Sequence, residues 1–451
     1  MLEDLIKERF KKLENLRRAD IDPYPAQTPL PIRGRIRGLR KQGGLIFIDL
    51  EWQGGGIQAV IKKDLLTDFE LWMSNLDIGD FIAVRGEAFT TEAGEPSLAV
   101  KQIVLLTKSL RPLPDQWSGL KDPETRLRRR YLDLLFNPEL KELFVKKSRF
   151  WDEARRYLKT AGFLEVETPV LELIPGGADT QPFITHHNAL DEDFYLRISL
   201  ELPLKKLLVA GWEKVFEIGR IFRNEGIDAE HLQDYTQCEF YWAYADYEEL
   251  MMFVEKFYQE LIAAIFPGKN DRWHRPWPRV EYYEVFEKYT GINLGKAAVE
   301  DLMDKAKPFS PPADWGRGRL IDLLYKKLVR GHLLEPCFLI NPPAAVEPLA
   351  KRRPENPEQV ERFQVMALGT ELGKGFSEAN DPLDERQRFL EQMRLRAAGD
   401  REAQELDEEF LTALEHGMPP AAGFGFSERL FAVLAGRPVR ETVIYPLLRK
   451  K

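Results

Sequence analysis

Residues 32 to 108 constrain the fold most. "IRGRIRGL", "LIFIDLEW", "GIQAVIKK", "DFIAVRGEAFTT" and "SLAVKQIVLLTK" are five short β-rich segments separated by Gly, Lys-Asp and Gly-Glu turns. Branched and aromatic residues between such turns predict five strands, and five strands this short fit a small Greek-key barrel. Upstream, Leu5, Ile6, Phe10, Leu13 and Leu16 recur at helical spacing until "DPYP" ends the pattern, so a helix is expected over 3 to 19. Downstream, "RPLPDQWSGLKDP" has three prolines and no apolar repeat. The expected organisation is an N-terminal helix over 1–25, a barrel over 26–110, a linker over 111–123 and a larger unit over 124–451.

The larger unit reads as α+β. "ELKELFVKKSRFWDEARRYLKTAGF" places Phe144, Phe150, Ala154 and Leu158 on one helical face, with Gly162 as the stop. "LEVETPVLE" is a strand broken at Pro169, a residue expected at an edge or bulge. "FYLRIS", "VFEIGRIFRNE", "TQCEFYWAYAD", "PCFLIN", "RFQVMALGTELGKGF" and "ETVIYPLL" predict further strands, with amphipathic helices around 201–210, 247–265, 383–399 and 427–435. Strands in succession with helices gathered between them predict an antiparallel sheet rather than a doubly wound one.

Composition excludes little. The chain has 451 residues and is 44% hydrophobic, enough for a core in each unit. Two cysteines, Cys238 and Cys337, match no zinc spacing and imply no disulfide framework. The start lacks the apolar core of a signal peptide and no long apolar run occurs, so the expectation is a cytoplasmic protein with no membrane partner. The net charge is -8, yet residues 1 to 130 carry 22 Lys+Arg against 19 Asp+Glu, a local excess of +3. A locally basic front on an acidic body suits a front that touches a phosphate backbone, and small barrels of the OB type commonly bind single-stranded nucleic acid on one face.

The chemistry concentrates in "GRIFRNEGIDAEHLQDYTQCEFYWAYADYEEL", residues 219 to 250. Two strands joined by a loop with His231 put Arg223 and Glu225 on one side of the first, and Tyr235, Gln237, Glu239 and Tyr241 on one side of the second by the two-residue rule, so the hairpin presents them on a common face. Arginine and glutamate are rarely buried unless paired, so the hairpin is either a salt-bridged surface or a binding face. In the second case arginine holds a phosphate, tyrosine stacks on a base, and glutamate takes a cation or an amine.

This hairpin resembles motif 2 of class II aminoacyl-tRNA synthetases, in the form used by the lysyl-type enzymes. "FVKKSRFWDEARRYLKTAGFLEVETPVL" resembles motif 1, which forms a dimer; "ALEHGMPPAAGFGFSERLFAVLAG" resembles motif 3; the five-strand front resembles the anticodon-binding OB barrel. The resemblance implies a homodimer with a class II antiparallel catalytic domain. Such an enzyme joins an amino acid, lysine first among the choices, to ATP as an aminoacyl-adenylate and passes it to tRNA, with Mg²⁺ as cofactor. Arg223 and Arg429 would be the catalytic residues, gripping the α- and γ-phosphates. Glu225, His231 and Tyr235 would complete the ATP site, and Glu371 would hold metal. Gly176, Gly177, Glu201, Glu239, Tyr241, Lys374, Phe376 and Glu378 match positions around the amino acid. Phe47, Gln58 and Arg40 match positions facing the anticodon.

Four positions depart from the lysyl pattern. Lys374, in "ELGKGFSE", stands where an asparagine is usual; Gln364 replaces a metal-binding glutamate; "GFGFSER" is one residue short before Arg429; Leu39 replaces an arginine of the anticodon face. A lysine beside Glu239 or Glu378 would repel a substrate ammonium, by roughly 4 kcal/mol at 4 Å and an effective dielectric of 20. Three alternatives stay open: Lys374 points away and lysine binds; the substrate is another amino acid or the acceptor is not tRNA; or activation is lost and an RNA-binding or regulatory dimer remains.

Overall fold

The computed structural model describes residues 2–27, 30–52, 54–114, 120–226, 231–347, 349–397 and 405–449. They form two compact units, Met1–Phe136 and Asn137–Lys451.

In the first unit, β1 (Ile32–Gln42), β2 (Leu45–Trp52), β3 (Gly55–Lys62), β4 (Phe81–Thr90) and β5 (Pro96–Thr107) close into a barrel in the order β1-β2-β3-β5-β4. Closure removes the sheet edges, and strand alternation sends Ile46, Ile48 and Leu50 of β2 into the interior. The N-terminal helix, Leu2–Arg18, differs from its expected face: Leu13 and Leu16 are buried, but Leu5 and Phe10 are exposed. Arg9 takes the inward position because its guanidinium donates to the carbonyls of Ile78 and Ser109, each at 3.0 Å. This unit extends past the expected 111–123 junction to Phe136. The Arg37 guanidinium donates to the Leu135 carbonyl at 3.2 Å and lies 4.7 Å from the Phe136 ring centroid, so the helix Arg130–Phe136 stays with the barrel. Part of the linker, 115–119, lies outside the described residues.

The second unit is built on β6 (Leu164–Glu165), β7 (Leu171–Glu172), β8 (Ile184–His187), β9 (Glu192–Leu196), β10 (Lys214–Phe222), β11 (Asp234–Ala243), β12 (Arg279–Glu281), β13 (Cys337–Ile340), β14 (Arg362–Ala367), β15 (Thr370–Ser377) and β16 (Ala421–Ser427). Eight of these form one sheet in the order β12-β13-β14-β15-β16-β11-β10-β6; its centre is antiparallel and only the outermost pairs are parallel. Pro169 splits its segment into β6, at the edge of this sheet, and β7, in a separate three-stranded sheet. "ETVIYPLL" forms no strand. Val439–Thr442 is a short 3-10 turn whose Thr442 carbonyl accepts from Lys147 Nζ at 2.8 Å, and Pro446 lacks the donor a ladder needs.

One face of the eight-stranded sheet packs the helices Pro138–Thr160 and Tyr247–Ile265 through an aromatic layer that includes Phe240, Phe257, Tyr258, Phe363 and Phe424. The opposite face is polar and carries the cavity. No helix among the described residues is long and apolar enough to cross a membrane, and Cys238 and Cys337 are free and buried.

Candidate active site

The register of four antiparallel strands lays out the cavity floor. Gln364, Lys374, Gly425 and Glu239 form one row across β14, β15, β16 and β11; Arg362, Phe376, Gly423 and Tyr241 form the next. Gly373 and Gly375 point the other way. A Cβ at 373 would lie 2.5 Å from the Phe424 ring, and one at 375 would lie 2.8 Å from that of Phe363, so these glycines make room for the aromatic layer rather than for a ligand. Between them the side chain of Lys374 reaches the cavity, which has a volume of about 310 Å³.

At one end, Arg223 follows β10 and Arg429 opens the helix after β16; both line the cavity with Tyr235 and Glu371. The Arg223 guanidinium lies 5.8 Å from the Tyr235 ring centroid and its Nε donates to the Ile198 carbonyl at 3.2 Å, which fixes its direction. Despite the missing motif residue, β16 pairs with β11 without a register shift from Ala421 to Ser427. Glu428, 1% exposed, anchors the junction by bonding Lys147 and accepting from the Thr236 amide at 3.3 Å. Glu225 and His231 do not line the cavity. The strand ends at Phe222, so Glu225 is free of its alternation and accepts from Thr180 Oγ1 at 2.8 Å; the loop 227–230 before His231 lies outside the described residues.

At the other end, Gly177 has φ +82, and a Cβ there would sit 3.0 Å from those of Glu201 and Ser199, so only glycine brings the backbone this near. Glu239 is 3% exposed and accepts from Gln237 Nε2 at 2.5 Å, Ser199 Oγ at 2.9 Å, the Tyr241 hydroxyl at 3.0 Å and the Leu200 amide at 3.1 Å. Glu201 lines the cavity, but Glu378 lies behind it. Both are held by Lys205, an ammonium the sequence reading passed over: it bonds Glu201 Oε1 at 2.6 Å and also pairs with Glu378, and it is fully buried. Its position four residues after Glu201 on the helix Glu201–Val209 was the available signal. Glu385, 1% exposed, faces the same lysine, and neither of its carboxylate oxygens meets a donor among the described residues. Burial raises the pKa of Glu201, Glu378 and Glu385, the last to about 7, and Lys205 only partly offsets this; burial lowers that of Lys205, but the surrounding carboxylates outweigh it and keep it charged.

Lys374 meets neither Glu239 nor Glu378. Its Nζ is 3.1 Å from Glu347 Oε2, and the same oxygen is 3.2 Å from Arg362 Nε. Burial opposes the charge on Lys374, but Glu347 outweighs it and the pKa is raised; burial works to raise the pKa of Glu347, and the two cations bring it down. Glu347 and Arg362 were not singled out from sequence: Glu347 follows the 3-10 turn Ala344–Val346, outside any strand, and Arg362 reaches the site through the β14–β15 hairpin, opposite Phe376.

The residues at this cavity offer a divalent cation a weaker seat than a pair of carboxylates would, with Gln364 standing beside Glu371. Gln364 Nε2 donates to Glu371 Oε2, so an amide proton already engages one oxygen of the carboxylate a metal would use. No cluster of three or more potential metal ligands occurs among the described residues.

On the barrel, Gln58 Nε2 donates to Glu95 Oε2 at 3.0 Å, and Ser97 Oγ donates to Gln58 Oε1 at 2.9 Å, which fixes the amide within a groove that Trp52 and Phe89 also line. Glu95 and Ser97 were not singled out from sequence. Phe47, half-buried, and Asp49 share an outward face, where Arg40 pairs with Asp49 at 3.4 Å. A bulge between Ile36 and Gly38 turns Leu39 inward opposite Ile48 and Arg40 outward opposite Phe47, so Leu39 leaves no hole in that face.

Comparison with known proteins agrees with this geometry. The family of class II tRNA synthetases (D, K and N) matches residues 122–449, and the OB-fold nucleic acid binding domain matches residues 32–106. The chain is 43% identical to the lysine–tRNA ligase of Moorella thermoacetica, over 99% of this chain and 98% of that one. It is 40% identical to that of Syntrophomonas wolfei subsp. wolfei and 39% identical to that of Thermoanaerobacter pseudethanolicus, over the whole of this chain and 98% and 97% of theirs. With two family models covering both units in order, and relatives matched end to end, the chain belongs to the class II tRNA synthetases of the D, K and N group.

Proposed function

We propose that the protein activates lysine with ATP and transfers it to tRNA. The observation that carries this reading is the convergence of Arg223 and Arg429, from elements about 200 residues apart in the chain, on one cavity that Glu201, Glu239, Tyr241 and Phe376 also line. The lysine carboxylate attacks the α-phosphorus of ATP, pyrophosphate leaves, and lysyl-adenylate remains for the tRNA hydroxyl to attack. The nucleophile is already an anion, so no general base is required. The work is alignment and stabilisation of the charge that builds on the phosphoryl oxygens, which two guanidiniums suit. Tyr235 offers a stacking face for adenine, and Phe376 a wall for the substrate's alkyl stem. The family uses ATP, generally with Mg²⁺.

The barrel groove around Gln58, with Phe47 and Arg40 beside it, would receive the anticodon. Exposed Leu164, Val170, Leu171, Leu173 and Ile184, within and after the motif 1 segment, support a homodimer, and a cytoplasmic setting follows from the same reading.

ATP–pyrophosphate exchange measured over all amino acids tests the proposal. Lysine-dependent exchange is the expected result. Exchange with a different amino acid alone would replace the substrate, and exchange with none would overturn the reading.

A further inference from the structure

The carboxylates of this cavity are already engaged, while the ammonium on its strand floor, Lys374, has donors to spare. Glu239 accepts four hydrogen bonds, Glu201 is held by Lys205, Glu371 accepts from Gln364, and Asp322 pairs with Lys326 at 2.7 Å. Lys374, directly across the ladder from Gln364, makes one hydrogen bond, to Glu347, and its side chain remains 39% accessible. Glu347 is shared with Arg362, so the trio carries a net charge of +1. The place where an amide stands beside the single carboxylate is therefore also beside a cation fixed to the protein.

We propose that Lys374 supplies that positive charge to the phosphate oxygens of bound ATP, so that the nucleotide binds with little dependence on Mg²⁺. The inference rests on the ATP-binding reading above. Gln364 and Lys374 act together: the amide removes a carboxylate that would attract Mg²⁺ and the ammonium fills the electrostatic role. A lysine keeps its charge and position at any metal concentration, whereas a bound ion must be captured. Glu347 holds the ammonium side chain in one direction, and Arg362 prevents Glu347 from neutralising it fully.

Calorimetric titration of ATP into the full chain, with excess Mg²⁺ and with EDTA, tests this without reference to turnover. The wild type is expected to bind in both, with a Kd ratio below about tenfold. Lys374→Met should weaken binding in EDTA by roughly tenfold or more and much less in Mg²⁺, and Lys374→Arg should retain the EDTA binding. Gln364→Glu/Lys374→Asn should bind ATP only when Mg²⁺ is present. Wild-type binding that requires Mg²⁺, or Lys374→Met binding metal-free ATP as the wild type does, overturns the inference and leaves the synthetase reading intact. So does a Lys374→Met loss confined to lysine binding, which would assign the ammonium to the amino-acid carboxylate. Absence of ATP binding in both conditions overturns both. Circular dichroism of each variant separates unfolding from lost binding, and Lys374→Arg carries the test should Lys374→Met not fold.

Discussion

The barrel and the eight-stranded sheet each present polar groups on one face of paired strands, but they satisfy those groups differently. On the barrel the outward set is sparse: Gln58, Ser97 and Glu95 form a short hydrogen-bonded chain, and Arg40 and Asp49 are a solvent-exposed pair. On the sheet the polar face is enclosed, and its charges pair with groups from outside the strands: Glu378 with Lys205 of a helix, and Lys374 with Glu347 beside a 3-10 turn. Water can satisfy the first kind of surface but not the second, because a buried charge without a partner costs several kcal/mol. An exposed binding face can therefore vary position by position, whereas the enclosed one changes in groups.

Substitutions at Lys205 test this contrast most severely. Lys205→Met leaves Glu201, Glu378 and Glu385 buried with no shared cation, and should lower stability by about 3–5 kcal/mol, read as a fall in Tm. Arg223→Ala or Arg429→Ala should reduce ATP–pyrophosphate exchange by about 10²–10³-fold. The pH dependence of unfolding sharpens the comparison further. The Glu385 carboxyl, raised to about 7 in the folded state, still holds its proton at pH values where the unfolded chain has lost it. Stability should therefore fall as pH rises from the ordinary glutamate range to about 7, by roughly 3 kcal/mol, and Glu385→Gln should flatten that slope in urea titrations. On the barrel, Phe47→Ala should weaken tRNA binding by about 1–3 kcal/mol in a filter or fluorescence assay. Arg40→Ala should be mildest, changing stability by under about 0.5 kcal/mol while reducing the salt slope of tRNA binding by about one.

Strand and helix existence was legible where a segment faces one environment. The five barrel strands and the helices Tyr247–Ile265 and Pro138–Thr160 follow from periodicity, because each buries one continuous apolar face. The N-terminal helix was misread on its buried face, since Arg9 found carbonyl acceptors that no local pattern announces. "ETVIYPLL" has β composition but no ladder partner. The segment between β13 and β14 carried little sequence signal, yet it delivers Glu347, the partner of Lys374.

The sequence alone determined which strand side chains share a face, such as Tyr235, Gln237, Glu239 and Tyr241, because alternation along a strand is a local property of the backbone; Glu225, His231 and Glu378, beyond the strand ends, fall outside the cavity lining. It also determined family membership, through motifs in order. Tertiary structure alone decided how the charges pair. Glu371 and Glu378 in "ELGKGFSE" do not share one cation: Glu371 accepts from an amide, Glu378 pairs with Lys205, and Lys374 turns to Glu347. Ion pairing depends on distances of a few ångströms between residues distant in the chain, and only the folded sheet sets those distances.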